Sequence, residues 1–149
     1  MGDPQQVAQE VAQQCAAIMI AEDPASRGLG MEIVEVGPGR ALVRMVVRED
    51  MTNGHDIGHG GFTFSLADTA FAFACNTYNR RTVAQSCEIS FLAPTRAGDV
   101  LLATAQERYR NGRNGIYDVT VRCGDTVVAE FRGRSREIGG TFFEESDDE

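Results

Sequence analysis

The run FTFSLADTAFAFACNTY, Phe62 to Tyr78, constrains this chain more than any other part of it. It is rich in Ala and Phe, lacks the alternation of a strand and is too long for one, so it reads as a helix. Its apolar residues lie nearly all round, and a helix of that kind is buried on most sides. The rest of the chain must therefore wrap it.

Strand patterns supply the wrapping. GLGMEIVEV and ALVRMVVR, split by the turn signal GPGR (Gly37 to Arg40), read as a hairpin, with Ala41, Val43, Met45 and Val47 on one face. A loop over residues 50–61, rich in Gly, Asn and His, leads into the buried helix. Beyond NRR come VAQSCEISFLAP, DVLLATAQERYR, IYDVTVRC and TVVAEFRGRSREI, with NGRNG and Gly124-Asp125 as turns. At the start, Asp3 caps and Pro4 opens an amphipathic helix over residues 4–22, on which Val7, Val11, Cys15, Ile18 and Met19 recur at helical spacing. Asp23-Pro24 is read as its stop. The order is helix, two strands, buried helix, four strands. The expected fold class is α+β, an antiparallel β-sheet wrapped around a long central helix. Residues 1–24 form the N-terminal helical segment, 25–138 a single domain, and 139–149 an acidic tail expected to be disordered after Gly139-Gly140.

Charge narrows the partners. The net charge is -8, part of it in the terminal FFEESDDE, and all 14 basic residues are arginines. Nucleic-acid affinity comes from clustered Lys and Arg, so a general nucleic-acid binder is not expected, although a local phosphate site remains open. No run is long enough to span a bilayer and no leader-like segment opens the sequence, so no membrane partner and a cytoplasmic setting are expected. Cys15, Cys75, Cys87 and Cys123 show no CxxC or CxxH pairing and read as free thiols.

One acid, Asp68, interrupts the apolar helix. An ionised carboxylate in apolar surroundings is unfavourable unless it is paired or takes up a proton. Its neighbours on the helix face, Phe64, Phe71, Ala72 and Cys75, carry no positive charge. Either Asp68 sits at a wet edge or on a backbone amide, or it is a general base or nucleophile. Gly60 and Gly61 stand where the helix begins, and the first amides of a helix lack internal partners. Such amides could bond a carbonyl oxygen and stabilise an oxyanion, although paired glycines also mark plain turns. Asn53 could orient water or bond a carbonyl, or simply serve the turn Thr52-Asn53-Gly54. His59 could polarise a carbonyl or anchor the loop through the backbone, while His55 reads as a loop or pocket-lining residue. The two histidines are four apart, but Gly58, Gly60 and Gly61 break the helix that would aim both at one metal ion, so no metal is expected. Cys75 has no base at helical spacing and reads as a core thiol. GLG and GPGR match no nucleotide fingerprint.

NGHDIGHGGFTFSLADTAFAFACN resembles the signature of hotdog-fold acyl-CoA thioesterases, most closely the phenylacetic-acid-degradation group. Asn53, His59-Gly60-Gly61 and Asp68 occupy the pattern's places, and the likeness runs over residues 28–138. The resemblance implies a hotdog fold and hydrolysis of a small aromatic acyl-CoA, with coenzyme A part of the substrate and no cofactor. It implies catalytic roles for Asp68, Gly60, Asn53 and His59, with Gly61, Arg96, Arg110 and Arg113 binding substrate. The other arginines near turns, Arg80, Arg81 and Arg108, are further candidates for the phosphates. It also implies a site at a homodimer interface, where Asp68 of one subunit faces Gly60, Gly61 and Asn53 of the other, and dimers pairing into a homotetramer. Two alternatives stay open: a hotdog-fold hydratase or dehydratase using His59, and a non-catalytic acyl-CoA-binding module.

Overall fold

The structure is a computed structural model and describes residues 2–145. Helices α1 (Pro4–Ala21) and α2 (Pro24–Gly28) precede the hairpin β1 (Glu32–Gly37) and β2 (Arg40–Val46). A single 3-10 turn (Glu49–Met51) and a loop then lead to the central helix α3 (Gly60–Cys75). Four strands follow: β3 (Thr82–Phe91), β4 (Val100–Asn111), β5 (Asn114–Cys123) and β6 (Thr126–Glu137). They form one six-stranded sheet in the order β1-β2-β4-β5-β6-β3, antiparallel throughout. The α+β expectation therefore holds. The chain crosses the sheet along α3, leaves β2 at one side and begins β3 at the far edge.

Helix α3 seats Leu66, Ala67, Ala70, Phe71, Phe73 and Ala74 in a core with Val43, Met45, Leu101, Val119, Val121 and Phe131. Burying each Val, Leu, Met or Phe side chain of that core contributes about 1.5–3 kcal/mol. One close approach depends on glycine: the Phe71 ring lies over Gly133 of β6, where a Cβ would stand 2.7 Å from ring carbons. Burial is not complete all round the helix. Ser65, Asp68, Thr69 and Ala72, at i, i+3, i+4 and i+7, form a stripe that is only part-covered.

Two local readings change. Asp23-Pro24 does not only stop α1; Asp23 caps α2, its Oδ1 accepting from the Ser26 amide at 2.9 Å, with Pro24 at the first turn. Strand β1 consequently begins at Glu32 and not at Gly28, since Gly28 belongs to α2 and Gly30 turns at φ +72. The tail, expected to be disordered, makes specific contacts over 141–145. Asn79 is fully buried at φ +57, and its Oδ1 accepts from the amides of Phe142 (2.9 Å) and Phe143 (3.3 Å). Arg81 lies 4.6 Å over the Phe142 ring, and Arg80 pairs with Glu145 at 2.7 Å. Residues 146–149 of that tail lie outside the described residues.

Candidate active site

The start of α3 is built by the loop before it. Asn53 is exposed, and its Oδ1 accepts from the amides of His55 (2.9 Å) and Ile57 (3.3 Å), an Asx turn that shapes the loop. Its Nδ2 has no partner among the described residues and remains a free donor. Two short bonds tie the loop down: the Gly58 amide donates to the Thr95 carbonyl and the His59 amide to the Met51 carbonyl, each at 2.7 Å. A side chain at Gly58 would collide with the Thr95 hydroxyl, so the close approach requires glycine.

His59 is the N-cap of α3, and its Nδ1 accepts from the Gly61 amide at 3.0 Å. That bond bears on the substrate-binding role expected of Gly61. The Gly61 amide is engaged by the imidazole here, so of the two helix-start amides only that of Gly60 is free among the described residues. The same bond leaves the proton of neutral His59 on Nε2, as a donor. The Gly60 amide has no hydrogen-bond partner among the described residues and is the free donor of the helix start. It opens on a groove of about 390 Å³ lined by Ile57, Thr63, Phe91, Leu92 and Pro94 among others. The Phe91 ring closes over it, since a Cβ on Gly60 would meet that ring at 3.0 Å. Phe91 was not singled out from the sequence.

Asp68 lies eight residues further, about 12 Å along the axis at 1.5 Å per residue. It lines a different recess, of about 250 Å³, with Ala25, Leu29, Met31, Thr69 and Ala72. No hydrogen bond or ion pair reaches its carboxylate among the described residues, and burial alone pushes its pKa up from 3.8. The charge of Asp68 in turn contributes to raising the thiol of Cys87 on β3, behind the larger effect of burial there. Cys75 sits at the same helix, and burial first pushes its thiol up to about 12. Its thiolate is therefore scarce at neutral pH, and the core-thiol reading stands.

The arginines divide. Arg96 stands at the loop end of the site, where its amide donates to Asp99 (2.9 Å) and its guanidinium lies 3.5 Å from the Asp56 carbonyl. Arg110 and Arg113 are at the other end of α3, around a small recess with Tyr78 and Arg80. Arg110 lies 3.5 Å over the Tyr78 ring. Beside it, Glu107 accepts from the hydroxyls of Tyr78 (3.0 Å) and Tyr117 (2.8 Å). Helix α3 spans 16 residues, about 24 Å, so these arginines and Gly60 do not meet in one subunit. Arg108 is held by Asp118, which Arg132 also pairs. Among the described residues no group of three or more His, Cys, Asp and Glu is placed to hold a metal ion. No helix of the described residues is long and apolar enough to cross a membrane.

An antiparallel sheet curled round one helix, with a free amide at the helix start and an unpaired acid two turns on, defines a hotdog-fold protein equipped for acyl chemistry. Comparison with known proteins carries this further. Residues 55–130 match the Thioesterase superfamily. The chain is 47% identical over 129 residues to acyl-coenzyme A thioesterase PaaI of Escherichia coli (strain K12), covering 86% of this chain and 92% of that protein. The structure of the E. coli PaaI protein superposes with a TM-score of 0.88 at 45% identity, over 90% of this chain and 98% of that one. A variant of the phenylacetic acid degradation protein PaaI from Thermus thermophilus superposes with a TM-score of 0.76 at 37% identity, over 78% and 100%. The chain belongs to the thioesterase superfamily and is a thioester hydrolase.

Proposed function

We propose that this hydrolase acts on a small aromatic acyl-CoA of the phenylacetyl type, releasing the free acid and coenzyme A, in the cytoplasm and without a further cofactor. The observation that carries the chemistry is Asp68: a half-buried carboxyl with no partner and a raised pKa, on the helix whose first amide is free. Such a carboxylate is a base whose proton affinity is shifted toward working pH. The similarity to acyl-coenzyme A thioesterase PaaI, a protein of the E. coli phenylacetic acid degradation operon, supports the substrate class.

The site is shared between two copies. In one subunit the Gly60 amide and the Asp68 carboxyl are too far apart to touch one thioester. Strand β3 is a sheet edge with exposed Val83 and Phe91, exposed Leu92 follows it, and the thiol of Cys87 at mid-strand feels the Asp68 charge. Antiparallel pairing of two such edges about a two-fold axis would hide these residues and the unpaired backbone. It would also bring Asp68 of one subunit toward the Gly60 amide of the other. Pairs of these dimers would form the tetramer.

In the reaction, Asp68 takes a proton from water as the water oxygen attacks the thioester carbon. The oxygen of the tetrahedral intermediate is held by the Gly60 amide, with Asn53 Nδ2 and His59 Nε2 as the neighbouring free donors. The carbon–sulfur bond then breaks and the thiolate leaves, taking a proton from Asp68 or solvent. A thiolate is a good leaving group, so the site needs no strong general acid. Direct attack by the carboxylate, through an anhydride, differs in one respect: a single turnover in 18O water would label Asp68 itself. Arg96, beside the loop, is proposed to meet the phosphates of coenzyme A, as are Arg110 and Arg113 from the far end of α3. A panel of acyl-CoAs assayed by thiol release tests the proposal. Phenylacetyl-CoA is expected among the fastest substrates, and turnover confined to long-chain acyl-CoAs would overturn the substrate class.

A further inference from the structure

We infer that the short helix α2 forms the acyl-selecting wall of the site, so that the acyl group lies in the recess between α2 and the Asp68 face of α3. This rests on the proposed thioester reading and assigns a role to a segment outside the sequence signature.

Three observations converge on α2. The first is the shape and chemistry of the recess. It holds about 250 Å³, and its apolar lining comes from Ala25, Leu29 and Met31 on one side and Ala72 on the other. An apolar cavity of about 150 Å³ is large enough to bind benzene, so one aryl ring and its linking carbon fit here. The second is charge. Two carboxylates, Asp68 and Asp23, border the recess, and no arginine lines it. Phosphate groups are repelled by that pair, whereas Arg96 flanks the groove at Gly60. The neutral acyl end and the phosphorylated end of the substrate are thereby sorted to opposite sides of the scissile bond.

The third is that α2 is fastened to α3 beside the acid. Ser26 is 3% exposed and its Oγ donates to Asp23 Oδ2 at 2.6 Å. Its oxygen lies 3.1 Å from Thr69 Oγ1, the residue next to Asp68. Because the carboxylate only accepts, the Thr69 hydroxyl is the donor in that second bond. At the end of α2, Arg48 donates to the Gly28 carbonyl at 3.0 Å. A five-residue helix held this way is a fixed wall, and the side chains at 25 and 29 set the depth of the recess.

The test uses the full chain carrying Asp68→Asn, in which bound substrate persists, and measures binding of phenylacetyl-CoA and acetyl-CoA by calorimetry. Phenylacetyl-CoA is expected to bind more tightly. Adding Ala25→Phe, an exposed position where a large side chain fills the recess, is expected to reduce that preference roughly tenfold or more. Leu29→Ala is expected to move preference toward bulkier acyl groups. No preference in the parent, or a preference unmoved by either substitution, overturns the assignment of α2. Failure of the thioester reading looks different: Asp68→Asn alone would then release coenzyme A at the wild-type rate.

Discussion

Replacing Asp68 by Asn separates activity from stability in a way that few substitutions can. The two side chains have nearly the same size, so the packing of α3 is kept. What is lost is the negative charge, and with it the base. A positioned general base contributes about 10²- to 10⁴-fold, and turnover is expected to fall by that factor. Stability is expected to move the other way. Asp68 has no hydrogen bond or ion pair to lose, and its pKa is raised by burial alone. A group whose folded-state pKa exceeds its unfolded value binds more protons when folded, so the wild type loses stability as pH rises through that window. The window opens near 3.8, the ordinary value, and closes above the raised one. Above it the carboxylate is ionised and part-buried, and Asp68→Asn is relieved of that burden. The variant should therefore melt at or above the wild-type temperature at pH 7, and the gap should vanish at the acid end. The same shift places the acid limb of kcat/KM above the pH at which an ordinary aspartate titrates. Thiol-release kinetics and thermal melts over pH check both arms. Turnover within tenfold of wild type, or a loss of stability at pH 7 that disappears in acid, would refute the account of Asp68 as an unpaired base.

Two other substitutions probe the frame around the site. Val83→Asp places an acid on each exposed β3 edge, and sedimentation is expected to show dissociation together with loss of hydrolysis; a fully active monomer would rule out the shared site. Gly133→Ala drives a methyl group into the Phe71 ring and is expected to cost about 1–3 kcal/mol in denaturant unfolding, whereas an unchanged midpoint would mean that the sheet yields there.

The pattern of residues determined the central helix, the strand order along the chain and the oddity of Asp68. An Ala- and Phe-rich run without alternation has one economical solution, and a carboxylate within it is visible as an exception. Even α2 was within reach, because Asp23-Pro24 repeats the cap-and-proline start of Asp3-Pro4. What the sequence left open were choices between two uses of the same group. Gly60 and Gly61 are equivalent as letters; only the folded loop turns the His59 ring onto one amide and leaves the other free. Arg96, Arg110 and Arg113 all lie near turns, yet about 24 Å of helix separates the first from the others, since β4 carries Arg110 away from the loop end. The Asp68 recess is also tertiary in origin. It exists because a buried serine on α2 meets a threonine 43 positions later on α3, a contact that no local pattern encodes. Periodicity reports which face of an element is apolar, whereas the partner that each free donor or carboxylate finds is fixed only when distant elements pack.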